Sequence, residues 1–376
     1  MSFVAEALNL SKFSAEQLKE RGILKKAFIK SNLFDDIVEA YRIDKKFGIY
    51  EEGTVVIRGV DGLKVVRGFP KIKRILFLEN GLIKHFGNRK IAIEEKMNGY
   101  NVRIVKIGKK LYAITRGGLI CPYTTEKVRE KLDEGFFHEY PDFMLCCEAV
   151  GKASPYVTDY YGIEGLEFFL FDIRECRSNV PMSIEKKEKI AKKFGLKTAE
   201  ILKKCFSTEI EEIKNVIKNL DERGREGVVF KDIEMKIDPL KYTTSFANCS
   251  DLAYAFKYFE EHARDFMLAR IMREAFQAFE FGDSEDRASR LGKAILLSAM
   301  ESIKRVKEGE EILETSKLSF SNEEVYETFK MHMKLLGISF REIEIKRDER
   351  TLEVVIAKVM RATTDKVKSL LEGNPW

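Results

Sequence analysis

Between Pro70 and Ser245 the chain is built from apolar runs too short for helices, each cut off by a turn signal. The runs "KIAIEEK", "YNVRIVKI", "KLYAITR", "FMLCCEAV", "LEFFLFDI" and "EGVVFKD" have the length and composition of strands. Helical patterns interrupt them near residues 125–133 and 183–220. Short strands joined by hairpins and mixed with helices predict an α+β core with mostly antiparallel sheets. Asn98-Gly99, between the first two runs, is the dipeptide that a tight hairpin prefers, because both residues tolerate positive φ.

Outside this core the pattern changes. The first sixty or so residues read as an accessory unit, an amphipathic stretch "SAEQLKERGILKKAFIKS" followed by short strands. Near Asn248 long helical patterns begin, with Leu252, Phe256, Phe259, Phe266, Met272, Phe276 and Phe279 recurring at helical steps. So many aromatics exceed what two helices can bury in each other, which points to a dimerisation module. In the last sixty residues Ser321 and Glu324 form a capping box, Gly337 ends that helix, and "ISFREIEI" and "LEVVIAKV" read as strands before a terminal helix. The expected division is 1–65, an N-terminal module; 66–245, the α+β core; 246–316, a helical dimerisation module; and 317–376, a small α/β module.

Bulk properties exclude several classes. A hydrophobic share of 44% with 34% charged residues belongs to a folded globular chain, and no window is long and apolar enough to span a membrane. The start, "MSFVAEALNLSKF", lacks the pattern of a signal peptide. The net charge is only +5, so a polyanion would have to be held by a local groove. Six cysteines without CxxC pairs fit reduced core thiols in the cytoplasm. Two glutamines amid abundant Lys, Glu and Ile lean towards a thermophile.

No phosphate loop is present: "AVGKAS" lacks the first glycine, and the position where it should stand is Cys146. The four histidines are too scattered for a metal site, and no Ser-His-Asp or Cys-His set is found. Lysines and carboxylates must therefore carry any chemistry, and several of them end or open apolar strands: Lys96, Glu148, Asp172, Glu226, Lys231 and Lys241. Charges at the ends of buried strands are where a cleft would lie.

In order, the blocks "EKMNG", "FMLCCEAVG", "FFLFDIRE", "EGVVFK" and "PLKYTT" resemble the covalent nucleotidyltransferase superfamily of ATP-dependent ligases and mRNA-capping enzymes. "EEKMNGYNVR" and "LKYTT" are most similar to the archaeal homodimeric RNA ligases. The resemblance implies that Lys96 attacks the α-phosphorus of ATP, giving a lysyl-AMP adduct and pyrophosphate. Attack needs the neutral amine, which a free lysine supplies at pH 7 in roughly one molecule in 2,500. Neighbouring cations and dehydration raise that share, and Lys231, Lys241 and Arg116 are expected to converge for this purpose. Arg116 matches the arginine that holds the nucleotide or the RNA 5′-phosphate. Glu148 and Glu226 are implied as carboxylates for the ribose and for Mg²⁺ or Mn²⁺, Phe171 as the aromatic on adenine, and Glu95 as an adenine selector. Asn98 stands where the KxDG form of the first block has aspartate. It shapes the turn rather than moving a proton. Gly99, Arg103 and Asp172 lie in the same blocks and complete the site candidates.

Two spacings are awkward. Glu226 and Lys231 are an odd number apart, so a regular strand would point them to opposite faces, and a bulge or a contact from beyond the strand end must intervene. Only Lys241 fits the last block cleanly, with Lys236 as a stand-in for a second lysine. The expected function is joining RNA 5′-phosphate and 3′-hydroxyl ends through lysyl-AMP and an RNA-adenylate. The nearest rivals are a DNA ligase and a GTP-using capping enzyme. Both normally carry an oligonucleotide-binding barrel where long helices follow here. A non-catalytic RNA-binding protein is the alternative of another class, disfavoured by the intact charges.

Overall fold

The computed structural model describes residues 1–157, 161–348 and 351–376. The chain divides into two compact units, each gathered from three segments: Met1–Lys71, Asn98–Ala199 and Ser316–Val355 in one, Ile72–Met97, Glu200–Thr315 and Ile356–Trp376 in the other.

The second unit holds a five-stranded sheet in the order Ile201–Phe206, Lys90–Lys96, Gly227–Asp232, Leu240–Thr243, Lys73–Arg74. Its pairings are antiparallel except the last, which is parallel. Strand side chains alternate between faces, and here the faces differ sharply. Ile91, Ile93, Val228, Phe230, Leu240 and Tyr242 are buried in one cluster with Leu78, Leu82 and Phe86 of the Leu78–Phe86 helix. The Ile210–Glu222 helix adds Ile213, Ile217 and Leu220, spaced to share one of its sides. Each such side chain contributes about 1.5–3 kcal/mol on burial, so the apolar face fixes the sheet and with it the direction of the opposite, charged face.

The helices Ser245–Lys257, Arg264–Phe281 and Ser284–Lys307 follow, the first two separated by a short 3-10 turn, Phe259–Glu261. The aromatic steps do not mark the buried side of Arg264–Phe281. Met272, Phe276 and Phe279 are exposed, while Glu274 and Gln277 are buried. The helix is seated by hydrogen bonds instead: Gln277 Nε2 donates to the Thr243 carbonyl (2.7 Å), Asn248 Nδ2 to Glu274 Oε1 (2.7 Å), and Ser245 Oγ to Glu274 Oε2 (2.7 Å). Among the described residues no helix is long and apolar enough to cross a membrane.

In the first unit a four-stranded antiparallel sheet runs Glu167–Glu175, Phe143–Val150, Tyr100–Ile107, Lys110–Thr115. A second one, Leu24–Lys26, Ile37–Ile43, Val55–Gly59, Gly62–Val66, shares a core with the helices Ser2–Leu8 and Lys12–Glu20. Near the C-terminus a three-stranded sheet has the order Leu313–Phe320, Leu352–Val359, Arg341–Arg347.

Three local expectations are corrected. Asn98-Gly99 is not a hairpin turn: Lys90–Lys96 and Tyr100–Ile107 belong to different sheets, and neither residue has a positive φ. Gly99 is needed for another reason, since a Cβ there would run into the Ala149 carbonyl oxygen of the neighbouring strand. The helical stretch expected over 183–220 is two helices, Ile184–Lys193 and Ile210–Glu222, with the edge strand Ile201–Phe206 between them. The helix Glu323–Leu335 is capped by Asn322, whose side chain accepts from Val325 N, while Ser321 binds Glu126.

Candidate active site

The charged face of the five-stranded sheet follows from its register. Lys96 pairs with Gly227, which pairs with Thr243; Glu94 pairs with Val229, then Lys241, then Arg74; Ala92 pairs with Lys231. Directly opposed residues share a face, so Lys96, Glu94, Lys231, Lys241 and Arg74 all project to the side away from the apolar cluster. Glu95, between two of them, projects the other way. There burial pushes its carboxyl above the usual carboxylate range, against the opposing pull of Arg225 and Arg223.

Lys96 Nζ donates to Glu226 Oε1 at 2.5 Å, with the two side chains only 22% and 17% exposed. The odd spacing between Glu226 and Lys231 is resolved at Gly227. Glu226 precedes the strand, and Gly227 takes φ +152°, a conformation that side chains disfavour. A Cβ on Gly227 would also stand 2.8 Å from Thr243 Cα and nearer still to the Tyr242 carbonyl oxygen. The break in pleat lets Glu226 reach Lys96, while Thr244 N holds the Glu226 carbonyl at 3.0 Å. Glu226 Oε2 is buried and has no hydrogen-bond partner among the described residues.

The side chain that Lys96 contacts is thus a carboxylate, while the expected cations Lys231 and Lys241 share its sheet face. Lys231 Nζ contacts Glu94 Oε1, and both side chains are almost fully buried. Lys241 is half-buried on the same face. Lys236 is exposed in the turn after Asp232, its backbone N–H donating to Asp232 Oδ2 at 2.9 Å.

The other site candidates lie in the first unit. Asn101, Glu148 and Phe169 form one cross-strand row and Arg103, Cys146 and Asp172 the next, all on one sheet face. The register slips between Leu170 and Asp172, leaving Phe171 as the extra residue of a bulge. Its ring stands edge-on to Phe69 at 5.1 Å, and its carbonyl accepts from Lys187 Nζ at 3.1 Å. Asp172 is buried and accepts from Arg174 Nε at 3.0 Å. Arg116 is exposed, one residue past the end of Lys110–Thr115. Asn98 N–H donates to the Tyr161 hydroxyl at 2.7 Å. Arg103 is fully buried and donates to the carbonyls of Arg67 (2.6 Å), Gly53 (2.9 Å) and Thr115 (2.8 Å). Its guanidinium is a clamp on the backbone, and burial brings its pKa down to about 10.

Sequence reasoning passed over Asn101, whose buried Oδ1 has no hydrogen-bond partner among the described residues and which pairs with Glu148. It also passed over Arg74, which nothing in the short run "KIKR" marks as facing Lys241. No group of three or more His, Cys, Asp or Glu side chains among the described residues could hold a metal ion. The lone Glu226 Oε2 does suit a cation of the Mg²⁺ kind, which takes one or two carboxylates and completes its shell with substrate phosphates and water.

Residues 89–243 match the RNA ligase family model, and residues 254–374 match the model for the C-terminal region of ligase Pab1020. Two structures of an archaeal ATP-dependent RNA ligase, forms 1 and 2, superpose with TM-scores of 0.91 and 0.90. They are 35% and 36% identical and cover 100% of this chain and 99% of theirs. The chain belongs to the archaeal ATP-dependent RNA ligase family. A protein of uncharacterised function from Methanocaldococcus jannaschii is 38% identical over 99% of this ligase and 96% of its own length. A candidate ATP-dependent DNA ligase from Aquifex aeolicus is also similar, at 27% identity and TM-score 0.89, covering 97% of this chain and all of its own. The match to the Pab1020 C-terminal region covers most of the long helices and the last sheet, where the capping alternative would call for a barrel.

Proposed function

We propose that this ligase joins RNA 5′-phosphate and 3′-hydroxyl ends at the expense of ATP, through a lysyl-AMP intermediate on Lys96. The observation that carries the reading is the Lys96–Glu226 pair at the end of the charged sheet face, in a chain similar to archaeal RNA ligases over its whole length. Glu226 Oε1 already accepts a hydrogen bond from Nζ, so it stands where the proton must go before the amine can attack. The Nζ–P bond then forms as the bond from the α-phosphorus to the bridging oxygen breaks, and pyrophosphate leaves with the electron pair. AMP next passes to the RNA 5′-phosphate, and a 3′-hydroxyl displaces it.

In this reading Lys241 and Lys231 neutralise phosphate charge, with Lys231 held by Glu94, and Lys236 is a peripheral cation. Glu148, beside Asn101, receives the ribose hydroxyls. Phe171, lifted out of register by its bulge, stacks on adenine with Glu95 aiding base selection. Arg116 takes the RNA 5′-phosphate or the nucleotide. Asn98 and Gly99 shape the approach to the Phe143–Val150 strand, while Arg103 and Asp172 support the sheet. Mg²⁺ or Mn²⁺ would be held by Glu226 Oε2 and would supply charge neutralisation on the phosphates. The exposed Leu268, Met272, Phe279, Leu296, Leu297 and Met300 on the two long helices support a homodimer, which sedimentation showing only monomer would refute. Six free thiols, five of them buried, support a reducing, cytoplasmic setting.

The test is incubation with labelled ATP or GTP, followed by mapping of the labelled peptide. ATP should give a covalent adduct on Lys96, and Lys96→Ala should abolish both the adduct and sealing of 5′-phosphorylated RNA. An adduct formed with GTP but not ATP, or label retained by Lys96→Ala, would overturn the assignment. Sealing of nicked DNA in preference to RNA would favour the DNA-ligase reading.

A further inference from the structure

Three arginines lie on elements fastened at Thr243, the strand partner of Gly227, and the roles assigned above use none of them. Arg74, on the edge strand, donates from NH1 to Thr243 Oγ1 at 2.8 Å. The Arg264–Phe281 helix is fastened to the same residue, Gln277 Nε2 donating to the Thr243 carbonyl. Arg270 and Arg273 lie seven and four residues before Gln277, on the helix side that faces this strand end. Arg270 is held by Asp251 at 2.8 Å. Arg273 is half-buried and makes no hydrogen bond or ion pair among the described residues. Burial first, then repulsion from Arg74 and Arg270, brings the pKa of Arg273 down to about 10, with Glu226 and Asp251 pulling the other way. Arg74 is lowered by burial and by Arg270 in the same way, and Glu226 is its largest opposing influence. Like charges packed this closely with too few carboxylates are costly unless an anion joins them. By contrast, Arg287 on the following helix is fully engaged, with Gln277, Glu274 and Asp283.

We propose that Arg74, Arg270 and Arg273 form a phosphate-binding subsite that takes the β- and γ-phosphates of ATP and holds the departing pyrophosphate. Three cations match the charge of a pyrophosphate group better than that of a single terminal phosphate. Thr243 pairs with Gly227, which pairs in turn with Lys96, so the subsite lies at the strand end that carries the nucleophile, within reach of a nucleotide whose α-phosphorus is under attack. The inference rests on the ligase reading above, and wild-type adduct formation tests that reading separately.

Arg273→Gln and Arg270→Gln in the full chain test it by three measurements. These are adduct yield against ATP concentration, removal of AMP from the preformed adduct by inorganic pyrophosphate, and joining of chemically pre-adenylated RNA, which involves no pyrophosphate. Losing a charge-assisted hydrogen bond should raise the half-saturating ATP concentration by about 10-fold or more, with pyrophosphate reversal weakened to a similar degree. Joining of pre-adenylated RNA should stay near wild type, and Arg273→Lys should recover part of the loss. Unchanged ATP saturation would overturn the proposal. A loss seen only in a fourth assay, AMP transfer from the preformed adduct to 5′-phosphorylated RNA, would assign the cluster to the RNA phosphate and overturn the proposal. Equal losses in all three assays would mark a structural role and would also overturn it.

Discussion

Gly227→Ala isolates the backbone device that joins Glu226 to Lys96. The added methyl meets the Tyr242 carbonyl oxygen and Thr243 Cα, both backbone atoms that no rotamer change can move. The neighbouring strand must give way by roughly half an ångström, or φ must leave +152°. Forcing a side chain into a glycine-only conformation costs about 1–3 kcal/mol, and overpacking adds about 1–3 kcal/mol more. The chemical effect should be larger than the stability effect. Moving a reacting or proton-accepting group by about 1 Å can cost on the order of 100-fold in rate, and Glu226 is the residue next to the strained position. The assay is single-turnover formation of the AMP adduct at saturating ATP, alongside urea unfolding followed by far-UV circular dichroism. Gly292→Ala, where the Cβ meets open space within a helix, is the control and should unfold at a slightly higher urea concentration. A Gly227→Ala variant with wild-type adduct rate and an unshifted unfolding midpoint would show that the Lys96–Glu226 contact does not depend on this glycine.

Two further outcomes are expected. Glu94→Gln alone should destabilise by about 3 kcal/mol, because one partner of a buried ion pair is removed, whereas Glu94→Gln combined with Lys231→Met should recover much of the loss; if the double variant is also as active as wild type, Lys231 does not bind the nucleotide. His332 is fully buried with Nε2 on the Tyr156 hydroxyl at 2.8 Å, and burial brings its pKa down from 6.5 to about 4. The folded state therefore binds its proton less readily than the unfolded chain, so its contribution is intact above pH 6.5 and is lost as pH falls towards 4. The wild type should lose about 3 kcal/mol of stability over that interval through this group. His332→Phe should show a correspondingly flatter profile in urea titrations at each pH, and an unchanged profile would refute the assignment.

The candidate blocks could be picked out in the sequence because charges that end or open apolar strands stand out against ordinary core strands. The α+β class was legible too, from short apolar runs broken by turn signals between 70 and 245. What the sequence left undecided is pairing. "EEKMNGYNVRI" reads locally as a hairpin, yet Lys90–Lys96 finds its partners at Gly227–Asp232 and Ile201–Phe206, more than a hundred residues away. Local propensity weighs only neighbouring residues, while register is set by where a whole apolar face can be buried. The same limit hid the roles of two glycines, since Gly99 and Gly227 are required by close approach of a strand and no local signal reports that approach. The seating of the Arg264–Phe281 helix was equally hidden, since a buried hydrogen-bond network holds it while Met272, Phe276 and Phe279 stay exposed. The sequence by itself thus singled out the residues proposed for the chemistry. Only the tertiary structure decided that a carboxylate touches Lys96, because that contact depends on long-range strand pairing and one glycine's φ.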